Sequence, residues 1–182
     1  MMDEEGVDDV YLLGHSMGGL IAVYYAGYLG GRLRGLITSG AAVLIRVPLL
    51  RYILLRALAA LSPRIRVPLP IDPRSLSRDP SVVRGYAEDR LVVRRPTVRL
   101  IMEMLRASRT VWEYTDRISV PALIMHGSDD RVVPPEASVT LYRRLGSRDK
   151  TLKLYRGMRH EVLNEVGRAR VLSDLEAWLR KH

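Results

Sequence analysis

Short apolar runs and longer helical stripes take turns along this chain. Residues 10–13, 35–39, 122–126 and 152–155 are brief, mostly apolar and bounded by glycine or polar residues, which predicts four buried strands. Residues 17–29, 135–146 and 165–180 carry the helical period. In the last of these Val171, Leu172, Leu175, Trp178 and Leu179 recur on one face, which is expected to be buried. Strands alternating with helices predict an α/β fold around a parallel sheet.

Between the second and third strands the texture changes. Residues 41–61 are strongly apolar but carry Arg46, Arg51 and Arg56, with Pro48 inside, which suits short helices rather than a bilayer span. The arginines stand about 140° apart on a helical wheel and share no face, so the apolar sides are expected to turn towards a cavity. Residues 61–80 hold Pro63, Pro68, Pro70, Pro73 and Pro80, an irregular connector. Residues 97–114 read as an amphipathic helix. Leu100, Ile101, Met104, Leu105, Val111 and Trp112 lie on one side, with Arg99, Glu103, Arg106 and Glu113 on the other. The division is a core of residues 1–44 and 118–182, with an insertion over 45–117.

Composition narrows the class. At 182 residues and 47% hydrophobic content the chain suits one globular domain. With no cysteine there is neither a disulfide framework nor a Cys-ligated metal. Lysine occurs only at 150, 153 and 181, and Asn164 is the sole amide side chain, a bias that fits a thermophile and a GC-rich genome. No signal peptide or lipidation motif is visible at either end, so a cytoplasmic location is expected. The net charge of +9 is uneven: residues 45–117 hold 15 Arg against 7 Asp and Glu. Nucleic acid is not the expected partner, since that stretch has sparse aromatics and no binding motif. Peripheral contact with anionic lipid is the better functional reading, and a solvated thermophile surface explains the charge as well.

The chemistry begins at Gly14-His15-Ser16-Met17-Gly18, set between the first strand and the first helix. G-x-S-x-G in that context is a nucleophile elbow. The turn is sharp and strained, and the glycines let strand and helix pass closely. A serine nucleophile needs a base. Of the four histidines, His182 is expected to fray and His15 to point away from the serine hydroxyl as a packing residue. His126, closing an apolar run, reads as a half-buried structural residue. His160 follows the fourth strand and a turn, where an open α/β sheet gathers its reactive groups. The loop after the third strand offers Asp129 and Asp130, one of which is expected to close an Asx-type turn. The order Ser, Asp, His is that of α/β-hydrolases.

Gly14-His15-Ser16-Met17-Gly18-Gly19, His126-Gly127-Ser128-Asp129-Asp130-Arg131-Val132-Val133-Pro134 and Tyr155-Arg156-Gly157-Met158-Arg159-His160-Glu161 together resemble the monoacylglycerol lipase and lysophospholipase-like α/β-hydrolases, relatives of the serine aminopeptidase group. Residues 72–92 resemble that family's cap, so the likeness covers nearly the whole chain. The resemblance implies the C-terminal part of an α/β-hydrolase fold, parallel strands with helices, carrying an inserted helical cap. It implies Ser16 as nucleophile, Asp130 (three residues after Gly127) as the acid and His160 as the base. The Met17 N–H becomes one oxyanion donor. It implies no metal and no cofactor. The expected substrate is an ester of a single acyl chain, of monoacylglycerol or lysophospholipid type.

The family also places several strands and a His-Gly loop ahead of the serine, where this chain has room for one strand. That loop supplies the second oxyanion donor, whose loss typically costs about 10²–10³ in rate. The strand at 10–13 would then stand as an unpaired apolar edge, open to a homodimer or a partner chain. Three accounts are open. Met1 is an internal methionine of a longer enzyme, with Met1-Met2-Asp3-Glu4-Glu5-Gly6 the tail of a helix; the product is shortened and inactive; or a second chain completes the sheet. Two other functions compete with ester hydrolysis: an iminopeptidase-like amide hydrolase, for which an acidic pocket would be expected, and a catalytically impaired fragment acting as an interaction module.

Overall fold

A computed structural model describes residues 9–30, 33–69 and 71–182. The reading of residues 1–6 as a helix tail falls outside them, as does Pro70 of the connector. Four strands, β1 (Val10–His15), β2 (Leu33–Ser39), β3 (Ala122–Gly127) and β4 (Lys150–Tyr155), form one sheet in the order β1-β2-β3-β4, every pair parallel. The helices are α1 (Met17–Tyr28), α2 (Leu49–Leu61), α3 (Pro80–Glu88), α4 (Val98–Thr110), α5 (Glu136–Arg144) and α6 (Arg168–Lys181).

β3 is buried at every residue because both faces of the sheet are covered there, while the edge strands β1 and β4 leave Leu13 and Leu154 exposed. Successive residues feed opposite cores. Leu36, Ala122 and Ile124 pack with Leu20 and Val23 of α1 and Leu141 of α5. Ile37, Leu123 and Met125 pack with Val171 and Trp178 of α6. The strands outrun the expected bounds at their polar ends: β1 continues to His15 and β4 begins at Lys150.

Three helical expectations need correction. α6 starts at Arg168 rather than 165, because Gly167 takes a left-handed φ of 85° and interrupts the turn. Its buried stripe is narrower than expected: Val171 and Trp178 are buried, while Leu172 and Leu179 are exposed. The amphipathic helix ends at Thr110 and tightens into a 3₁₀ turn over Val111–Glu113. Leu100, expected on its buried side, is 41% exposed.

The apolar segment after β2 meets its expected arrangement in part. In α2 only Leu55 is buried; Leu49, Leu50, Ile53, Leu54 and Leu61 are exposed. Leu54, Leu55 and Leu58 nevertheless line, with Ile101, Met104 and Leu105 of α4, a cavity of about 360 Å³, as the apolar sides were expected to do, while Leu49, Leu50 and Ile53 turn to the surface. α3 was not foreseen. Asp79 caps it by accepting from the Ser81 N–H, and Pro80 supplies a pre-set first turn.

Candidate active site

Ser16 lies between β1 and α1 with φ 52° and ψ −117°, the one residue other than glycine at positive φ among the described residues. Such strain persists only where the surroundings over-determine it. Here the Ser16 N–H donates to the Ser39 carbonyl at 2.9 Å, and the Ser16 carbonyl accepts from Ala42 N–H at 2.9 Å and Leu20 N–H at 3.1 Å. A Cβ on Gly14 would overlap the Gly18 carbonyl, so the glycine two residues before the serine is required. The one two residues after is not, since a Cβ on Gly18 meets no described atom. Gly19 is the tight position, with its Cβ falling 2.7 Å from that of Ala41. Met17 opens α1, where the N–H has no helix carbonyl to bond.

The acid and the base lie on two loops pressed together. A Cβ on Gly127 would overlap the carbonyls of Met158 and Arg159, and Asp129 N–H donates to the Met158 carbonyl at 2.9 Å. His160, buried, sets Nδ1 2.7 Å from Asp130 Oδ2; a carboxylate oxygen only accepts, so Nδ1 carries the proton and Nε2 is left free for other work. The other oxygen, Oδ1, accepts from the N–H groups of Val132 (2.8 Å) and Val133 (2.9 Å). One of the two aspartates closes the turn as expected, and it is Asp130, the same residue that holds the imidazole. Asp129 is exposed and accepts the Ser128 hydroxyl at 2.7 Å.

His160 reaches the serine's corner through Gly40. A Cβ there would stand 3.1 Å from His160 Nδ1 and 3.2 Å from Cε1, and Gly40 follows Ser39, whose carbonyl holds the Ser16 N–H. Among the described residues no hydrogen bond joins Ser16 Oγ to His160. Such bonds commonly tighten only when substrate arrives.

The other histidines depart from expectation. His126 is fully buried rather than half-buried. Its Nε2 stands 2.9 Å from Asp130 Oδ2 and 3.0 Å from the Val133 carbonyl, and its Nδ1 2.6 Å from Ser138 Oγ. Both neighbours of Nε2 accept only, so this ring is protonated at Nε2 and takes the Ser138 hydroxyl at Nδ1. Sequence reasoning missed this second imidazole on the acid; the i, i+4 spacing of His126 and Asp130 was the available signal. His15 is a packing residue as expected, but it packs on His160 itself, with ring centroids 4.7 Å apart. Burial and the neighbouring His160 hold its pKa below the usual histidine value. His182 does not fray: its ring stacks on Trp178 at 4.3 Å and Nδ1 bonds the Trp178 carbonyl.

Burial pushes the Asp130 carboxyl up, but the bonds from His126 and His160, the His160 charge and the Val133 N–H together hold it well below the usual carboxylate range. A carboxylate depressed in the folded state stabilises it fully above its unfolded pKa of about 4, and that contribution is lost as pH falls through the depressed value. Asp130→Asn is therefore expected to flatten the acid-side loss of stability. Urea midpoints measured from neutral pH down to acid check this, and equal slopes in the two proteins count against it.

Beside the elbow, a cavity of about 440 Å³ begins at Met17 and runs between α1 and α4, lined by Leu20, Ile21, Tyr25, Leu100 and Met104 among others. It has the size and apolar character of a small-ligand site. Among the described residues no cluster of His, Asp and Glu could hold a metal ion.

A family model described as serine aminopeptidase, S33, matches residues 1–167. The monoacylglycerol lipase of Mycolicibacterium smegmatis is 32% identical over 174 residues, covering 94% of this chain and 62% of that protein. Human monoglyceride lipase is 31% identical over 177 residues, covering 93% of this chain and 58% of its own. The chain thus spans about three-fifths of the length of these two curated relatives. The crystal structure of Paleococcus ferrophilus monoacylglycerol lipase superposes with a TM-score of 0.89 at 30% identity, over 97% of this chain and 70% of that one.

Proposed function

Because the chain belongs to the serine aminopeptidase, S33, family of α/β-hydrolases, we propose that it hydrolyses carboxylic esters of a single acyl chain through Ser16, His160 and Asp130. The observation that supports this most is the buried His160–Asp130 pair lying over Gly40, beside the strained serine.

His160 Nε2 takes the proton from Ser16 Oγ as Oγ bonds the ester carbonyl carbon. The Met17 N–H faces the oxygen that gains charge. As the C–O bond to the alcohol breaks, His160 returns that proton to the leaving oxygen; a water that gives its proton to the same ring then bonds the acyl carbon, the bond to Ser16 Oγ breaks, and His160 hands the proton back to Oγ as the acid leaves. Asp130 keeps the proton on Nδ1 and stabilises the imidazolium while it exists.

The names of the relatives favour a monoacylglycerol, and the apolar cavity starting at Met17 suits the acyl chain of such an ester or of a lysophospholipid. A series of p-nitrophenyl esters tests this. Octanoate is expected to exceed acetate in kcat/KM by about tenfold or more, since each buried methylene contributes up to ~0.8 kcal/mol. A preference for acetate would overturn the lipid reading.

No described helix is long and apolar enough to cross a membrane. The exposed Leu49, Leu50, Ile53 and Leu54 of α2, flanked by Arg46 and Arg51, suit shallow contact with an anionic surface instead. Sedimentation with vesicles containing phosphatidylserine is expected, and Leu50→Ser with Ile53→Ser should weaken it. Binding indifferent to those changes would remove α2 from the contact.

A further inference from the structure

Glu165 is 1% exposed, and the chemistry above makes no use of it. Its Oε1 accepts from Arg78 N–H and Val166 N–H, both at 2.8 Å, and from the Ser77 hydroxyl at 3.3 Å; its Oε2 accepts from Arg159 N–H at 3.0 Å. The Arg78 guanidinium stands 3.4 Å away. One buried carboxylate therefore joins three segments: the stretch leading into α3, the residue before His160, and the approach to α6.

Two further ties run the same way. The Arg159 guanidinium donates to the carbonyls of Arg74 and Ser77, the latter at 3.1 Å, and the Glu161 N–H donates to the Leu76 carbonyl at 2.8 Å. His160 is thus bracketed. Glu165 holds the residue before it, Leu76 holds the residue after it, and both anchors reach the insertion segment 74–78.

We propose that Glu165 is a positioning residue that seats His160 against Asp130 and couples that seat to the insertion segment 74–78. The proposal rests on His160 being the general base. Bonds to an ionised acceptor are roughly twice as strong as neutral ones, so this carboxylate is a stiffer tie than a backbone turn. Take it away and three part-buried N–H groups lose their acceptor. Lift the insertion and Oε1 loses the Ser77 and Arg78 donors, so the position of the base registers whether the insertion is seated. A displacement of about 1 Å at a reacting group can cost about 10²-fold in rate.

Glu165→Gln tests this, because an amide of the same shape turns an NH₂ towards at least one of those N–H donors. With p-nitrophenyl butyrate, kcat is expected to fall about 10²-fold with KM little changed. The acid limb of the kcat/KM profile should move to lower pH as Asp130 loses its grip on the imidazolium, and the downfield His160 Nδ1 proton should shift or broaden. Glu165→Asp is expected to recover part of the rate. A fall in kcat that only matches a fall in fluorophosphonate titre, with profile and Nδ1 proton unmoved, would mean a purely structural role and overturn the proposal. If Glu165→Gln does not fold, Arg78→Ala removes just the exposed guanidinium and should shift the same readouts in the same direction, severalfold in rate; unmoved readouts there also overturn it. A native chain that shows no ester hydrolysis, while the Nδ1 proton still moves in Glu165→Gln, would sink the hydrolase reading and with it the catalytic meaning of the seat, leaving only the tie between Glu165 and the His160–Asp130 bond.

Discussion

Replacing Ser16 by alanine is expected to abolish covalent capture by a fluorophosphonate and to lower ester turnover by about 10⁶, the scale on which a lost nucleophile acts when the rest of its machinery is intact. The change should leave the fold alone. Both residues carry a Cβ at the same positive φ, and the bonds that hold the elbow come from the backbone of residue 16, not its hydroxyl. The thermal midpoint should therefore stay within the small range of an ordinary surface substitution, about 0.5 kcal/mol. Activity and labelling are read on the same folded sample, so a collapse of structure cannot mimic the result. Label retained by Ser16→Ala would place the nucleophile elsewhere and end the account of His160 as its base.

Asp130→Asn is expected to produce the next largest loss, about 10⁴ in kcat. The carboxylate accepts on both sides: two imidazoles at Oδ2 and two backbone N–H groups at Oδ1. An amide satisfies one side only. With its oxygen on the Val132 and Val133 N–H groups, its NH₂ faces His160 Nδ1, which must then give up its proton. The ring becomes the Nε2–H tautomer and has no lone pair for the serine proton. The opposite orientation sets NH₂ against two N–H donors and opens the turn. Asp129→Asn, by contrast, touches an exposed carboxylate whose partner is the neighbouring Ser128 hydroxyl, and should turn over at nearly the native rate. Steady-state kinetics of the two variants decide the matter. A larger loss at 129 would reassign the acid.

Much of this was legible in the sequence, for identifiable reasons. The inner strands announced themselves because a sheet covered on both faces needs little polar alternation, as Leu36 and Ile37 of β2 feeding opposite cores show. Their ends were less clear where polar residues such as Lys150 and His15 still pair in the ladder. The elbow and the order of serine, acid and histidine could be read because each follows a strand. What escaped was side-chain company set by neighbours distant in sequence. His15 touches His160 because β1 pairs with β2 in a register that sets His15 opposite Ser39, just before the glycine over which His160 lies. Glu165 was not singled out, because its partners Ser77 and Arg78 stand nearly ninety positions earlier. In α2, apolar content gave no hint of which leucines would meet water.

The strands are laid down in chain order, each beside the last and all pointing the same way, so every carboxyl end arrives on a common rim. Ser16, Gly40, Asp130 and His160 stand on that rim however the chain travels between β2 and β3. Lengthening such a detour is cheap, about 0.6 kcal/mol for each doubling of a flexible loop. Evolution can therefore rebuild the excursion, and with it the diet of the protein, while the reacting atoms keep their addresses.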